Sequence, residues 1–225
     1  MQSETARRGS PAASRAMRFV LLIGTLSFFA DFTYEGARSV LGPFLASMQA
    51  GAIAVGWISG GGELLGYGLR LVSGRLADAT GRFWFITIFG YVLQMASVPA
   101  LALAHSWQTA AVLIILERIG KAIRNPPRDV MLTHAGQRVG GYGWVFGVHE
   151  ALDQFGALCG PLLVALVMSW HGDYRRAFAL LAVSAVFNLV FLALARCIYP
   201  VAWDQDAEAP ARIRPALPLR FWGYL

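Results

Sequence analysis

GRLADATGRFWFITIFGYVLQMASVPALALA, residues 74–104, joins a charged loop to the run Phe83 to Ala104, which contains no Asp, Glu, Lys or Arg. About 20 apolar residues in a helix cross the hydrocarbon core of a bilayer, and this run reaches that length. It shows no alternation of apolar and polar residues, so it does not read as a half-buried strand. Inside lipid the backbone has no water to bond, which leaves the helix as the form that satisfies it.

Working outward, five more segments of the same kind appear: about Met17 to Ala46, Ala52 to about Ala77, about Trp107 to Ile123, about Tyr142 to Trp170, and Ala177 to Ala195. The whole chain agrees. It has 225 residues, of which 56% are hydrophobic and 14% charged, and its mean hydropathy is +0.52. Soluble domains carry nearer a quarter charged residues. The expected fold is an all-α membrane protein with six helices. Residues 1–16 read as a disordered basic tail, and residues 198–225 as a linker.

The net charge of +6 does not point to nucleic acid, because the basic residues form no stripe with interleaved aromatics and cluster between the apolar runs. With the N-terminus inside, fourteen of the nineteen lysines and arginines fall on the inner side and only Arg175 and Arg176 outside. By the positive-inside rule, both termini are expected in the cytoplasm, with the chain multi-pass in a cell (inner) membrane. Cys159 and Cys197 form no disulfide framework, and the four histidines show no metal-ligand spacing. Neither a metal nor a cofactor is expected. No nucleophile–base constellation suggests an enzyme.

Charges inside the spans are costly, at least roughly 2.5 kcal/mol each at a helix centre, and mark internal or wet faces. Asp31, Glu35 and Arg38 share one face of the first helix, as Glu63, Tyr67 and Arg70 do in the second. The fourth carries Glu117 and Arg118, and the fifth His149, Glu150 and Asp153, while the third and sixth have no charge. The order charged, charged, apolar therefore occurs twice. Gly56-Trp57-x-x-Gly60-x-x-Glu63 also recurs as Gly143-Trp144-x-x-Gly147-x-x-Glu150. Both signals divide the bundle into two three-helix repeats, 17–104 and 107–197, which are inverted in the membrane as in many secondary transporters. The pairs Gly56/Gly60, Gly62/Gly66, Gly143/Gly147 and Gly156/Gly160 suit close helix packing.

Gly74-Arg75-Leu76-Ala77-Asp78-Ala79-Thr80-Gly81-Arg82, between the second and third spans, resembles the signature loop of the major facilitator superfamily. Two more stretches are similar to that superfamily: Glu117 to Asp129 at the end of helix four, and Phe146 to Pro161 in helix five. The resemblance covers about Phe19 to Arg196 and the first half of a twelve-helix fold. It implies that the partner is a missing C-terminal half or a second copy of the chain, and that Pro218 to Leu225 approach a seventh helix.

The resemblance also assigns roles. Gly74, Asp78, Gly81 and Arg82 would form a cytoplasmic conformational latch, with Arg124, Arg128 and Asp129 as a second lock. Phe83 and Trp84 stand where further basic residues are common in the family, which would weaken the latch. Asp31, Glu35, Arg38, Glu63, Arg70, Glu117, Arg118, Glu150 and Asp153 are the candidates for a substrate and proton cavity. Six acids against three arginines leave surplus carboxylate, which favours a proton relay or a cationic group on the substrate. Pro161 marks a place for a kink. The expected function is secondary active transport of a small solute, proton-coupled, by alternating access. The alternative is a non-transporting half-fold that acts as an assembly partner or sensor.

Overall fold

The structure, a computed structural model, describes residues 11–139 and 141–200. Its regular elements are α1 (Pro11–Ser47), α2 (Ala52–Thr80), α3 (Phe83–Ala100) with a 3-10 turn at Leu101–Leu103, α4 (Trp107–Val139), α5 (Tyr142–His171) and α6 (Tyr174–Ile198). Short connections make successive helices antiparallel. Gly81 closes α2 at φ +65°, its N–H bonded to the Ala77 carbonyl at 2.8 Å, and Gly172 ends α5 in the same way. A residue in that left-handed conformation is normally glycine, because a Cβ is penalised there.

Four of the helices, α1, α3, α5 and α6, are long and apolar enough to cross a membrane by themselves. The polar residues of α2 and α4 weaken their hydropathy, and those two helices pack on each other. A charged face turned to a partner helix is hidden from lipid, so such helices can cross as members of a bundle.

Two boundaries are corrected. The first helix begins at Pro11 and not at Met17, and Ala16 is fully buried. Residues 11–16 of the expected tail are therefore helical, while residues 1–10 lie outside the described residues, as do 201–225 of the expected linker. The fourth helix does not end at Ile123 but continues to Val139, with Met131, Leu132 and Ala135 buried. It runs through Pro126 and Pro127, which lack an N–H for the helical bond to the carbonyl four residues back. For Pro126 that carbonyl belongs to Ala122, and the Ser73 hydroxyl of α2 donates to it at 3.0 Å. Such repair lets proline stay inside a spanning helix. Replacing Ser73 with alanine should lower unfolding stability by about 1 kcal/mol, read by thermal denaturation in detergent micelles. No change in midpoint would remove the hydroxyl from this role.

The two repeats appear in the packing. Helix α1 packs chiefly on α5 and α6, and α4 chiefly on α3 and α2. Exchanging the first three helices with the last three turns α1–α5 into α4–α2 and α1–α6 into α4–α3. The α3–α6 contact maps onto itself. A repeat of three antiparallel helices must invert, because an odd number reverses direction.

Glycine sets the tightest crossings. A Cβ on Gly156 or Gly160 would meet the backbone carbonyls of Phe28 or Phe32 in α1, and one on Gly90 of α3 would lie 2.7 Å from the Gly120 carbonyl of α4. The expected packing pairs divide on this test. Gly62 and Gly66 face Arg118, but Gly56, Gly60, Gly143 and Gly147 have nothing within 4 Å. The glycines and tryptophans of the duplicated motif therefore lie on open faces of α2 and α5, where Trp57 and Trp144 are exposed.

Two apolar clusters hold the ends of the bundle. One gathers Phe19, Val20, Ile23, Trp84, Met131, Leu132, Leu192 and their neighbours; the other gathers Phe44, Leu45, Val98, Ile114, Phe178 and Leu181. Phe83 and Trp84 are buried: Trp84 meets Phe19 edge-on at 6.3 Å, and the Arg196 guanidinium lies 5.8 Å from its ring centre. These two residues serve packing. Between the clusters lies a polar layer.

Candidate solute and proton site

The layer is built where α1, α2, α3, α4 and α5 meet. At its centre Arg124 of α4 has no exposed side-chain surface. Its Nε donates to Gln94 Oε1 at 2.6 Å, Nη1 to the Tyr91 hydroxyl at 2.9 Å, and Nη2 to Asp31 Oδ1 at 3.4 Å. Lys121, one turn earlier, reaches the same Asp31 oxygen at 3.3 Å. Gln94 Nε2 donates in turn to Glu117 Oε1 at 3.1 Å. One carboxylate thus serves two cations, and an amide joins the cation to a second acid.

A second network opens beside it. Arg118 Nη1 donates to Glu63 of α2 and, at 2.8 Å, to the Tyr34 hydroxyl. Arg38 bridges Glu35 at 3.3 Å and Glu63 at 3.6 Å. The Lys121 ammonium lies 3.6 Å from the centre of the Tyr34 ring and so links the two networks. They border a cavity of about 360 Å³ whose wall also includes Tyr67 and Arg70.

A third group lies nearer the α4 C-terminus. Arg128 is buried, holds Asp129 at 2.9 Å and donates to Ser27 at 3.3 Å; Ser27 is 2.8 Å from His149 Nε2. Asp153 of α5 interacts with Asp31, and its Oδ1 is buried without a hydrogen-bond partner.

The sequence profile of the Major Facilitator Superfamily matches residues 21–225. The chain belongs to that superfamily. An uncharacterized protein of Mycobacterium tuberculosis is 44% identical over 221 residues, covering 95% of this chain and 54% of its own length. An uncharacterized MFS-type transporter of Methanocaldococcus jannaschii is 27% identical over 76% of this chain and 43% of its own. Multidrug resistance protein MdtH of Klebsiella pneumoniae is 29% identical over 82% of this chain and 46% of its own. The chain spans about half the length of the curated relatives it matches. A crystal structure of the peptide transporter POT superposes with a TM-score of 0.67 at 21% identity, covering 79% of this chain and 37% of that one. That likeness shows the fold: six helices forming half of a superfamily transporter fold.

Of the nine cavity candidates, Asp31, Glu35, Arg38, Glu63, Arg70, Glu117, Arg118 and Asp153 enter or border the polar layer. Glu150 does not. It is exposed and accepts from Gln154 at 2.7 Å on its own helix. The signature loop of the superfamily keeps its turn at Gly81, and Gly74 lies against Pro126, 3.5 Å from its would-be Cβ. Asp78 and Arg82 are exposed and make no ion pair among the described residues.

Arg124 and Arg128 were expected in a loop beyond the fourth span. Because α4 continues, both are buried in the bundle, and only Asp129 keeps an exposed side chain. This also changes the charge balance. Lys121, Arg124 and Arg128 add three cations to the three arginines of the spans, so the surplus of carboxylate disappears. Their spacing was a readable signal. Glu117, Lys121, Arg124 and Arg128 follow at i, i+4, i+7 and i+11, the one-face pattern already used for α1. Tyr91 and Gln94 gave no such sign, since they lie in a span without charge.

Proposed function

We propose that the chain forms one half of a secondary active transporter that moves a small solute by alternating access, coupled to protons. The observation that carries this reading is the polar layer between two apolar clusters, bordering a cavity at mid-helix depth. Charged groups inside a bilayer are retained mainly where ions or solutes pass. Family membership and transporter-named relatives support the same reading.

Asp153 is the group best suited to exchange a proton. It faces Asp31 across the α1–α5 crossing and keeps one oxygen unbonded. Arg124 and Arg128 stand close enough to sense a change in its charge. Breaking and remaking such charge-assisted bonds would bias the bundle between two states. The Gly74–Arg82 loop would act as a latch whose charged partners lie on a second half or second copy. The exposed faces of α2 and α5 would receive that partner and enclose the path. In this reading the protein works in the inner membrane with both termini in the cytoplasm, and works as a transporter and not as an enzyme.

The test uses the natural gene product in proteoliposomes containing a pH-sensitive dye. A gradient of a transported solute should move protons, and Asp153→Asn should cut the proton signal by about tenfold or more. Solute movement that ignores both the pH gradient and this substitution would overturn proton coupling. No movement of any solute would favour the assembly-partner alternative.

A further inference from the structure

We infer that the solute is a small organic anion, bound in the α1–α2–α4 cavity with Arg70 as its principal unspent cation; this rests on the transporter reading above. The wall contributes four cations, Arg38, Arg70, Arg118 and Lys121, against two acids, Glu35 and Glu63. The partners of each decide what is left for a ligand. Glu35 is engaged by Arg38, and Glu63 by Arg118, Arg38 and the Tyr34 hydroxyl at 3.4 Å. Lys121 shares Asp31 with Arg124. No carboxylate reaches Arg70 among the described residues. Its guanidinium lies 5.1 Å from the Tyr67 ring centre, and its buried Nε has no hydrogen-bond partner. The Arg118 side chain is only 6% exposed, and its Nε, 4.0 Å from Glu117, also lacks a hydrogen bond.

A guanidinium held within a membrane bundle without a counter-charge is unfavourable, and an anion entering the cavity relieves that cost. The planar fork of arginine matches carboxylate and phosphate oxygens in pairs. The exposed ring of Tyr67 adds a flat, largely apolar wall, which favours an organic body over a bare inorganic ion. A volume of about 360 Å³ is at the small end of ligand pockets. Like charge disfavours a cationic solute at the same place.

Benzoate and benzylammonium test this directly, because they share a ring and differ in the sign of charge. The natural gene product is purified in maltoside micelles without added lipid, and its thermal midpoint is followed with each compound, and with inorganic phosphate, at about 10 mM, above the usual KM range. Benzoate should stabilise it and benzylammonium should not. Arg70→Gln breaks no internal ion pair and removes an uncompensated charge, so the unliganded midpoint should not fall while the apparent affinity for benzoate falls tenfold or more. Equal or greater stabilisation by benzylammonium overturns the inference, as does benzoate binding unchanged in Arg70→Gln. Stabilisation by phosphatidylglycerol with none by benzoate or phosphate also overturns it, by assigning the site to a lipid headgroup. The two readings fail separately. Anion binding without transport would sink the transporter reading and keep the site; transport with a preference for cations would do the reverse.

Discussion

Replacing Gly160 with alanine should destabilise the bundle severely, while the same change at Gly147, about three and a half turns earlier on α5, should be harmless. The added Cβ at position 160 would fall on the Phe32 carbonyl and within 3.0 Å of the Gly36 N–H nitrogen. Those are backbone atoms of α1, and they cannot rotate aside as a side chain can. Helices α1 and α5 would have to separate along their whole crossing, and Asp31 and Asp153 would part with them. Overpacking of this kind typically costs about 1–3 kcal/mol and sometimes more. Gly147 has nothing within 4 Å of its would-be Cβ, so alanine there gains up to about 1 kcal/mol of helix propensity. Fluorescence-detected size exclusion and thermal denaturation in detergent give the comparison. Equal midpoints for the two variants would show that the crossing can yield, and would remove the α1–α5 contact as the rigid element of the half.

Arg124→Met should be nearly as damaging, and for a different reason. The substitution keeps an apolar stem of similar length but deletes the donors to Gln94, Tyr91 and Asp31. Asp31 is then left with Lys121 at 3.3 Å as its remaining ion-pair partner. Breaking a buried pair from one side typically costs about 3–5 kcal/mol, because a buried charge loses its partner. Arg124→Lys should restore little, since an ammonium cannot reproduce a fork that reaches three side chains. Arg124→Met combined with Asp31→Asn should cost less than the sum of the two single losses, because the Arg124–Asp31 contact is already gone once either partner is removed. A double-mutant cycle on unfolding midpoints reads this coupling. Simple additivity of the two losses would mean that Arg124 and Asp31 are near neighbours without mutual dependence.

Particular residues show how far the sequence carries. The charge-free run Phe83 to Ala104 announces a spanning helix because lipid permits few alternatives. Asp31, Glu63, Glu117 and Asp153 announce an interior face because their presence in lipid would otherwise be too costly. The Gly81 turn is readable from the loop motif. Other features depart from the local pattern for identifiable reasons. Asn125-Pro126-Pro127 looks like the end of α4, and the helix continues because Ser73, on another helix, caps the carbonyl that Pro126 leaves free. That repair has no local signature. Glu150 shares its helix with Asp153 but faces away from the layer, since α5 turns the Asp153 face and Gly156 toward α1. The four glycines of the duplicated motif read as packing residues, yet they face open space.

By itself, then, the sequence determined the membrane class, the helix count, the two three-helix repeats and most of the charged residues of the polar layer, because hydropathy and the cost of buried charge act residue by residue. Only the tertiary structure decided which charges meet. It paired Arg124 with Asp31, Gln94 and Tyr91, brought Lys121 to the cavity, left Arg70 without a carboxylate among the described residues and excluded Glu150. Those outcomes depend on the rotation and depth of each helix, which are set by backbone contacts at Gly156, Gly160, Gly90 and Gly120 between segments far apart in the chain.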